Sequence, residues 1–457
     1  MGYNFRGGDR GQMWLMPPAI ADWLPGEHLA WMVIDAVESM DLKAFYAKYR
    51  TNGQGNTAWH PKMMVAVLLY AYCHGERSSR KIEKLCQESV AYRVITGNEK
   101  PDHCSISRFR QDHAEAMKTL FIETLRLCAE AGLVHVGKVN LDGTKMKANA
   151  SLAANRTEQA LAAEIERMLS EAAAKDAEED AAFGPDKRGD ELPEDLRTRA
   201  DRLKRLEEAK GRLERERLAT EAAQESKLAK RAEQEQATGK KTRGRTPKSV
   251  ETVRTEQEER KANATAPETR IMKTRAGHVQ GFNAQAVCTD DQIIIAGEVT
   301  DQENDQGQYH PMMAQAQANA TAVLDEKEAQ IDLGRADAGY CNEADLAREC
   351  GYEIVMATKK DWKRRKELRE EPPPRGRIPK HLSATERMER KLKTKRGNAE
   401  YKLRAQTIEP VFGQIKSGRG IDSFYGRELA SAQGEWDLIC GTHNLLKLFV
   451  RTRAMRN

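Results

Sequence analysis

The sequence predicts an α/β fold in which a mixed sheet is preceded by an all-helical N-terminal domain and interrupted by a long, charged helical insertion. Up to about residue 132, apolar residues recur at helical spacing, and beyond that point short strand-like runs alternate with helical segments. Residues 156–265 are rich in Ala, Glu, Lys and Arg and contain no Trp or Tyr. We therefore divide the 457 residues into an N-terminal domain (1–132), an α/β domain (133–155 and 266–457) and an insertion (156–265).

The charge of the chain is informative in its distribution rather than in its sum. Lys and Arg number 75 against 70 Asp and Glu, a net charge of +5, but residues 359–396 alone hold 16 basic and 6 acidic residues. Such a stretch favours contacts with phosphates, although a solvated segment is the plainer alternative. The eight Cys form no C-x-x-C pair, and we find neither a signal peptide nor an apolar run that would span a bilayer. The sequence thus predicts a cytoplasmic protein with no membrane partner and no structural zinc.

Short, capped helices are predicted for the N-terminal domain. Pro61 stands at the first turn of a strongly apolar helix, and Ser78 caps a helix that is expected to run through Val90. A third helix, capped at Asp102 or Ser105, is expected to continue to Leu127.

Basic residues on these helices form a candidate DNA-binding surface. Helix-turn-helix geometry is compatible with the pattern, and it would allow Arg80, Arg108 and Arg110 to meet phosphates. Most small helical domains do not bind DNA, so the helices alone leave this interpretation open.

Two aspartates follow strand-like runs in the α/β domain. The alternating run from Val134 is predicted to be a strand that ends at Asp142-Gly143, and a shorter apolar run precedes Asp337. A carboxylate at the end of a buried strand, with a small residue beside it, gives a ligand close access. A simple Asp-Gly turn is the alternative for the first of the two.

The insertion is predicted to be largely helical and solvent-exposed. Its leucines at 196, 203, 206 and 213 have coiled-coil-like spacing, whereas its composition is poor for an independent core. A long helical hairpin and a partly disordered segment both remain compatible with the pattern.

A third carboxylate lies on a predicted helix near the end of the chain. Glu409 sits beside an apolar stripe and has Arg404 before it and Lys416 after it on the same side. The stripe consists of Ile408, Val411, Phe412 and Ile415. A carboxylate between cations on a rigid element suits a metal and phosphate site, while an amphipathic helix with a charged rim is the plain alternative.

Asp142, Asp337 and Glu409 together suit the binding of hard divalent cations. Two such ions about 3.5–4 Å apart can activate a nucleophile and stabilise the leaving oxygen of an in-line phosphoryl displacement. We therefore expect the three carboxylates to converge within about 4–8 Å, as a shared two-metal site requires.

The chain resembles bacterial insertion-sequence transposases of the DDE type. The N-terminal resemblance lies in His60-Pro61, Gly75 with Ser78-Ser-Arg80, and Phe109-Arg110, and the similarity extends over nearly everything except the insertion. The segments that carry it in the α/β domain are Asp142-Gly-Thr-Lys-Met-Lys-Ala-Asn-Ala-Ser151, Gly281-Phe-Asn-Ala-Gln285, Ala336-Asp-Ala-Gly-Tyr340, Tyr401…Arg404…Glu409-Pro-Val-Phe-Gly-Gln-Ile-Lys416 and Glu435-Trp…His443-Asn-Leu.

The resemblance implies an RNase H-like catalytic domain with Asp142, Asp337 and Glu409 as metal-binding triad. It also implies two Mg²⁺ ions, with Mn²⁺ as an alternative, and a homodimer or larger assembly on DNA. The partners would be the terminal inverted repeats of the element and target DNA, so the protein would associate with the bacterial nucleoid.

Four further residues of the α/β domain are implied to position DNA: Tyr401, Arg404, Lys416 and Lys145. The spacing between Arg404 and Glu409 departs from the family pattern, because four residues separate them where three are common. One extra residue would rotate Arg404 by about 100° around a helix.

Three alternatives to a transposase remain open. An RNase H-like nuclease without strand transfer would need the triad but no end-specific binding. A catalytically silent, transposase-derived DNA-binding protein would not need all three carboxylates. A coiled-coil scaffold built on residues 194–236 would leave the aspartates and the basic stretch unexplained.

Overall fold

In the computed structural model, the chain begins with a cluster of seven helices. The structure describes residues 19–49, 57–183, 194–242, 246–274, 277–358, 367, 375–376, 378–379 and 381–456, so most residues before 381 in the basic stretch 359–396 lie outside it. The N-terminal helices are α1 (Leu29–Ser39), α2 (Lys43–Tyr46), α3 (Pro61–Cys73), α4 (Ser79–Glu88), α5 (Val90–Ile95), α6 (His103–Asp112) and α7 (Ala116–Glu130).

The caps predicted in this region are confirmed, but two of the predicted helices are each divided in two. Ser78 accepts a hydrogen bond from the backbone N–H of Lys81, and Asp102 from that of Ser105. The chain breaks at Ser89, whose extended backbone separates α4 from α5. It breaks again at His113, whose ring bonds the carbonyls of Phe109 and Phe45 and so caps α6. The expectation of one helix from residue 102 to 127 was therefore wrong.

A six-stranded mixed sheet forms the centre of the α/β region. Its strand order is β4-β5-β1-β7-β8, and β6 pairs with β5 in addition. Strands β1 and β5 are antiparallel, whereas β1, β7 and β8 run parallel to one another. The eight strands are β1 (Lys138–Lys147), β2 (Asn155–Thr157), β3 (Lys261–Asn263), β4 (Arg270–Thr274), β5 (Gly277–Thr289), β6 (Ile294–Thr300), β7 (Leu333–Ala336) and β8 (Glu353–Met356), of which β2 and β3 form a separate pair. The predicted α/β class with a mixed sheet is confirmed.

β1 is longer than predicted and does not end at Asp142-Gly143. It continues to Lys147 and pairs with β5 along its whole second half, up to Lys147 opposite Gly281. The Asp-Gly turn is thereby excluded. The expectation of a strand end was wrong because β5 is also long and offers backbone partners beyond the aspartate.

Three helices form the insertion: α8 (Glu158–Phe183), α9 (Glu194–Thr238) and α10 (Val250–Glu258). Leu206 and Leu213 of α9 are buried against Leu161 of α8, and Leu203 packs on the same small core. The side chain of Leu196 lies outside the described residues. Arg270 of β4 forms an ion pair with Glu216 of α9 at 2.7 Å, which connects the insertion to the sheet.

Five further α-helices lie in the described part of the chain after β6: α11 (Tyr309–Val323), α12 (Glu343–Ala347), α13 (Ala384–Leu392), α14 (Lys395–Gly413) and α15 (Leu429–Arg456). α15 joins the N-terminal helices to the sheet. Its Glu435 forms a buried ion pair with Arg77 at 3.0 Å, its Trp436 donates to the carbonyl of Gln285, and its Asn444 bonds Ile294 on edge strand β6. None of the helices that the structure describes has both the length and the apolar character needed to cross a bilayer.

A buried carboxyl on α15 makes the stability of the fold depend on pH. Asp437 is 3% exposed, and burial raises its pKa to about 7 despite a hydrogen bond from Gln433. The folded state therefore keeps a proton that the unfolded chain releases near pH 4. Stability should fall as pH rises from about 4 to about 7, by up to about 1.4 kcal/mol per pH unit, and then level off.

We expect Asp437→Asn to remove this loss. Relative to the wild type, the variant should be more stable by a few kcal/mol at pH 8 and about equal to it at pH 4. Urea unfolding midpoints across this range measure the difference, and the exposed Glu428→Gln on the same segment is the control. A difference between variant and wild type that does not change with pH would contradict the assignment.

Candidate active site

Asp142 lies within β1, and Asp337 directly follows the neighbouring parallel strand β7. β1 pairs with β7 from Lys138 opposite Leu333 to Asn140 opposite Arg335, and the same register extended by two residues places Asp337 opposite Asp142. Each carboxylate is fixed by a backbone N–H that follows it: Gly143 donates to Asp142 at 2.9 Å and Gly339 to Asp337 at 2.7 Å. Because β7 ends at Ala336 while β1 continues, the two aspartates lie just beyond the point where the two parallel strands stop pairing.

Glu409 reaches the same place from α14. The predicted apolar stripe is confirmed, since Ile408, Val411 and Ile415 are fully buried beneath the helix. Pro410 stands inside α14 and removes one backbone donor, but Gln292 donates to the carbonyl of Gln406 that the proline leaves unpaired, at 3.3 Å. The helix therefore continues through Glu409 to Gly413 and passes into a π-helical turn.

Arg404 connects two of the three carboxylates. Its Nη1 donates to Oδ2 of Asp142 at 2.8 Å, and its Nη2 donates to Oε1 of Glu409 at 3.1 Å. The extra residue before Glu409 thus leaves Arg404 directed into the site. Asp142 and Arg404 are largely buried, with side chains 18% and 13% exposed, whereas Glu409 is 54% exposed.

The electrostatics of the site disfavour an ionised Asp142. Burial raises the pKa of Asp142 to about 6; the guanidinium of Arg404 opposes this rise, and the neighbouring Asp337 adds to it. One cation therefore compensates only part of the negative charge that the two aspartates and Glu409 carry together.

The oxygen donors fit a divalent cation, although the side chains are not gathered around one. Among the described residues, no three His, Cys, Asp or Glu side chains are close enough together to hold a metal ion. Arg404 lies between Asp142 and Glu409 and supplies positive charge there. Hard divalent cations prefer neighbouring carboxylates in a partly buried site. Asp142, Asp337 and Glu409 would therefore hold the ion if the side chain of Arg404 moved out from between them.

Two lysines predicted to contact DNA border this site. Lys416, on the π-helical turn, donates to the backbone carbonyl of Lys145 at 2.7 Å, and burial lowers the pKa of each lysine. Lys145 forms an ion pair with Asp305 at 3.6 Å. Tyr401 lies one turn before Arg404 on α14 and is half-buried.

The three arginines predicted in the N-terminal domain are not equivalent. Arg80 on α4 and Arg108 on α6 are exposed, and their two helices pack against each other. Arg110 instead donates to the hydroxyls of Tyr72 and Ser79 and to the backbone carbonyl of Arg77. These bonds give Arg110 a structural role within the domain.

Sequence reasoning missed a group of polar residues that lies next to Gly143 and Gly339. Asp305, in the loop before α11, accepts hydrogen bonds from Asn283 and Gln285 of β5, and Tyr340 bonds Gln285. The strand residues belong to the Gly281–Gln285 segment that carries the resemblance, which was the available signal. Asp305 has no such signal, because it is one acidic residue in a polar loop.

Comparisons with known proteins agree with the order of these parts along the chain. Residues 19–112 match a family model described as a transposase domain (DUF772). Residues 337–449 match a family model described as a transposase DDE domain, and this match includes Asp337, Arg404, Glu409 and Lys416. No curated protein and no solved structure matches the chain. The two matches, a transposase domain followed by a DDE domain, support an insertion-sequence DDE transposase.

Proposed function

We propose that the protein binds the terminal inverted repeats of its own element, cleaves DNA there, and joins the freed 3′-hydroxyl to target DNA. The observation that carries the proposal is the meeting of three separate elements at one place. The register of β1 and β7, continued two residues past its last pair, sets Asp337 opposite Asp142, and Arg404 of α14 bonds both Asp142 and Glu409. The mixed sheet that carries both aspartates supports an RNase H-like catalytic domain.

The triad would hold the metal ions. DDE transposases generally use divalent ions, and we propose two Mg²⁺, which would supply a bound water as nucleophile and charge stabilisation at the leaving oxygen. Mn²⁺ would serve as a substitute.

The basic side chains of the site would bind the DNA backbone. Lys145, Tyr401, Arg404 and Lys416 would contact phosphates next to the scissile bond, so that the bond is held beside the carboxylates. Arg80 and Arg108, exposed on α4 and α6, would contact the repeat further away. Cutting two ends and joining them requires two active sites, so we propose a homodimer or larger assembly on DNA.

The direct test is strand cleavage and joining in vitro. Purified protein would be incubated with Mg²⁺ and labelled DNA that carries the repeats flanking its own gene. End-specific nicks followed by joined products support the proposal. Mg²⁺-dependent cutting without end preference or joining would replace it with an RNase H-like nuclease. End binding without cleavage in Mg²⁺ or Mn²⁺ would indicate a silent DNA-binding descendant.

Replacing Arg404 should affect metal binding and DNA processing in opposite directions. In the free protein its guanidinium competes with a cation for Asp142 and Glu409, so Arg404→Gln should bind Mn²⁺ roughly fivefold more tightly, as expected for the loss of about 1 kcal/mol of competition. On DNA the same change removes a phosphate contact, and cleavage should fall at least about tenfold.

Metal titration without DNA and cleavage under saturating metal separate these two effects. The exposed Lys402→Gln, on the same helix, is the charge-matched control. A parallel loss of metal affinity and cleavage in Arg404→Gln would show that Arg404 supports the ion site instead of competing with it.

A further inference from the structure

A fourth carboxylate, Asp305, lies beside the candidate active site and is held there by buried side chains. Its Oδ1 accepts hydrogen bonds from Nδ2 of Asn283 at 2.7 Å and from Nε2 of Gln285 at 2.9 Å, and Nζ of Lys145 lies 3.6 Å from the same oxygen. Both amides belong to β5 and are fully buried. Two hydrogen bonds and one ion pair thus hold one oxygen of a loop residue, which restricts the direction of the other oxygen, Oδ2.

Oδ2 of Asp305 lies close to the carboxylate of Asp337. A Cβ added to Gly339 would stand 2.8 Å from Oδ1 of Asp337 and 2.9 Å from Oδ2 of Asp305. The distance between these two oxygens is therefore at most the sum of the two distances. A glycine at this turn keeps the space between the carboxylates open.

Gly143 provides the matching space beside Asp142. A Cβ at this position would stand 2.7 Å from Oδ1 of Asp305 and would also collide with the amide of Gln285. A side chain at this position would displace Asp305 from its hydrogen bonds with Asn283 and Gln285. Gly143 and Gly339 thus both leave room for Asp305, each beside one of its two carboxylate oxygens.

The hydrogen bonding around Asp305 is incomplete in a way that points to a ligand. Oδ1 of Asn283 is fully buried and has no hydrogen-bond partner, and it lies 3.1 Å from the same Cβ position at Gly143. Buried polar atoms normally have partners, since leaving one unpaired forfeits the hydration that the atom had in the unfolded chain. The unpaired atom is an oxygen acceptor near the carboxylate of Asp305, and a cation or a water bound to one would satisfy it.

We propose that Asp305 is a fourth carboxylate ligand of the divalent ions bound at Asp142 and Asp337, with Asn283 and Gln285 as its positioning residues. The inference rests on the proposed function in so far as that function places divalent ions at the triad. Two hard cations need several oxygen ligands each, and three carboxylates supply few of them. Oδ2 of Asp305 lies next to Asp337 across the open position of Gly339, so it adds an oxygen ligand there.

The competing explanation is that Asp305 only neutralises Lys145. In that case its removal would harm the protein by leaving a half-buried cation unpaired, and replacing Lys145 as well would undo the harm. A direct metal ligand would not be restored in this way. The double replacement therefore separates the two explanations.

Mn²⁺ binding to the full chain without DNA, measured by electron paramagnetic resonance, is the test. The variants are Asp305→Asn, which keeps the shape of the side chain, Asp337→Asn as the reference for a triad ligand, and Lys145→Met with Asp305→Asn as the double variant. Glu303→Gln removes the same charge from an exposed position of the same loop and is the matched control. Thermal unfolding of each variant is recorded in parallel.

We expect Asp305→Asn to weaken Mn²⁺ binding about tenfold or more, because even partners of metal ligands are worth 10–100-fold in affinity. The double variant should remain equally weak, and Glu303→Gln should bind like the wild type. Unchanged binding in Asp305→Asn, or binding restored in the double variant, overturns the proposal. Loss of affinity in Asp305→Asn but none in Asp337→Asn would place the ion away from the triad and contradict the proposed function separately.

Discussion

Asp337→Asn should abolish strand cleavage and joining while leaving binding to the terminal repeats intact. Asp337 lies opposite Asp142 at the open end of the parallel ladder, and its backbone partner Gly339 bonds the oxygen that an asparagine retains. The variant therefore keeps the local shape and loses the negative charge that a divalent cation requires. We expect the rate of cleavage to fall by about 10³-fold or more, since even an outer partner of a metal ligand costs 10–100-fold.

The control for this variant lies on the same chain segment. Asp332 precedes β7 at its opposite end and is exposed, so Asp332→Asn makes the same chemical change away from the site. Cleavage by wild type and Asp332→Asn should be alike, and gel-shift assays should show equal repeat binding for all three proteins. Cleavage that survives in Asp337→Asn would remove this residue from the catalytic triad.

The positions of the three carboxylates on their elements were largely predictable from the sequence. Periodicity indicated a strand before Asp142, a second strand before Asp337 and an amphipathic helix under Glu409, and each is present. The register that sets Asp142 opposite Asp337 was not predictable, because it depends on which strands become neighbours. The continuation of β1 beyond Asp142 was missed for the same reason, since it depends on the length of β5.

Side-chain partners were harder to predict than elements. The spacing of Arg404 departs from the family pattern by one residue, which left its role open, yet its long side chain reaches both Asp142 and Glu409. Arg110 and Arg108 have the same charge and lie two residues apart, but only the structure shows that Arg110 is held by Tyr72. Such choices depend on tertiary distances, which local sequence patterns do not contain.

A buried arginine connects α14, the helix that carries Glu409, to the sheet. Arg335 of β7 is fully buried and forms ion pairs with Glu400 of α14 and with Asp290 in the turn between β5 and β6, the latter at 2.6 Å. It also donates to Asn140 of β1 at 3.2 Å. Glu400 lies nine residues before Glu409 on the same helix, so these contacts determine where α14 meets the two aspartates.

Replacing Arg335 by methionine should therefore lower both stability and activity. Removing one partner of a buried pair leaves an uncompensated charge, and the usual cost is 3–5 kcal/mol. We expect about 3 kcal/mol, because Asp290 is 41% exposed and Lys138 still pairs with Glu400. A shift of α14 by about 1 Å would further reduce cleavage on the order of 10²-fold.

A second replacement tests whether the unpaired charge is the cause. Arg335→Met combined with Glu400→Leu exchanges the ion pair for apolar side chains, which is often nearly neutral for stability. The double variant should regain most of the lost midpoint of thermal unfolding, and with α14 again packed on the sheet it should regain part of the cleavage. If stability returns but cleavage does not, Arg335 acts on the site through more than the docking of α14. If neither returns, the loss arises from the contacts of Arg335 with Asp290 and Asn140, and the turn between β5 and β6 is the element that holds the sheet in register beneath Asp142.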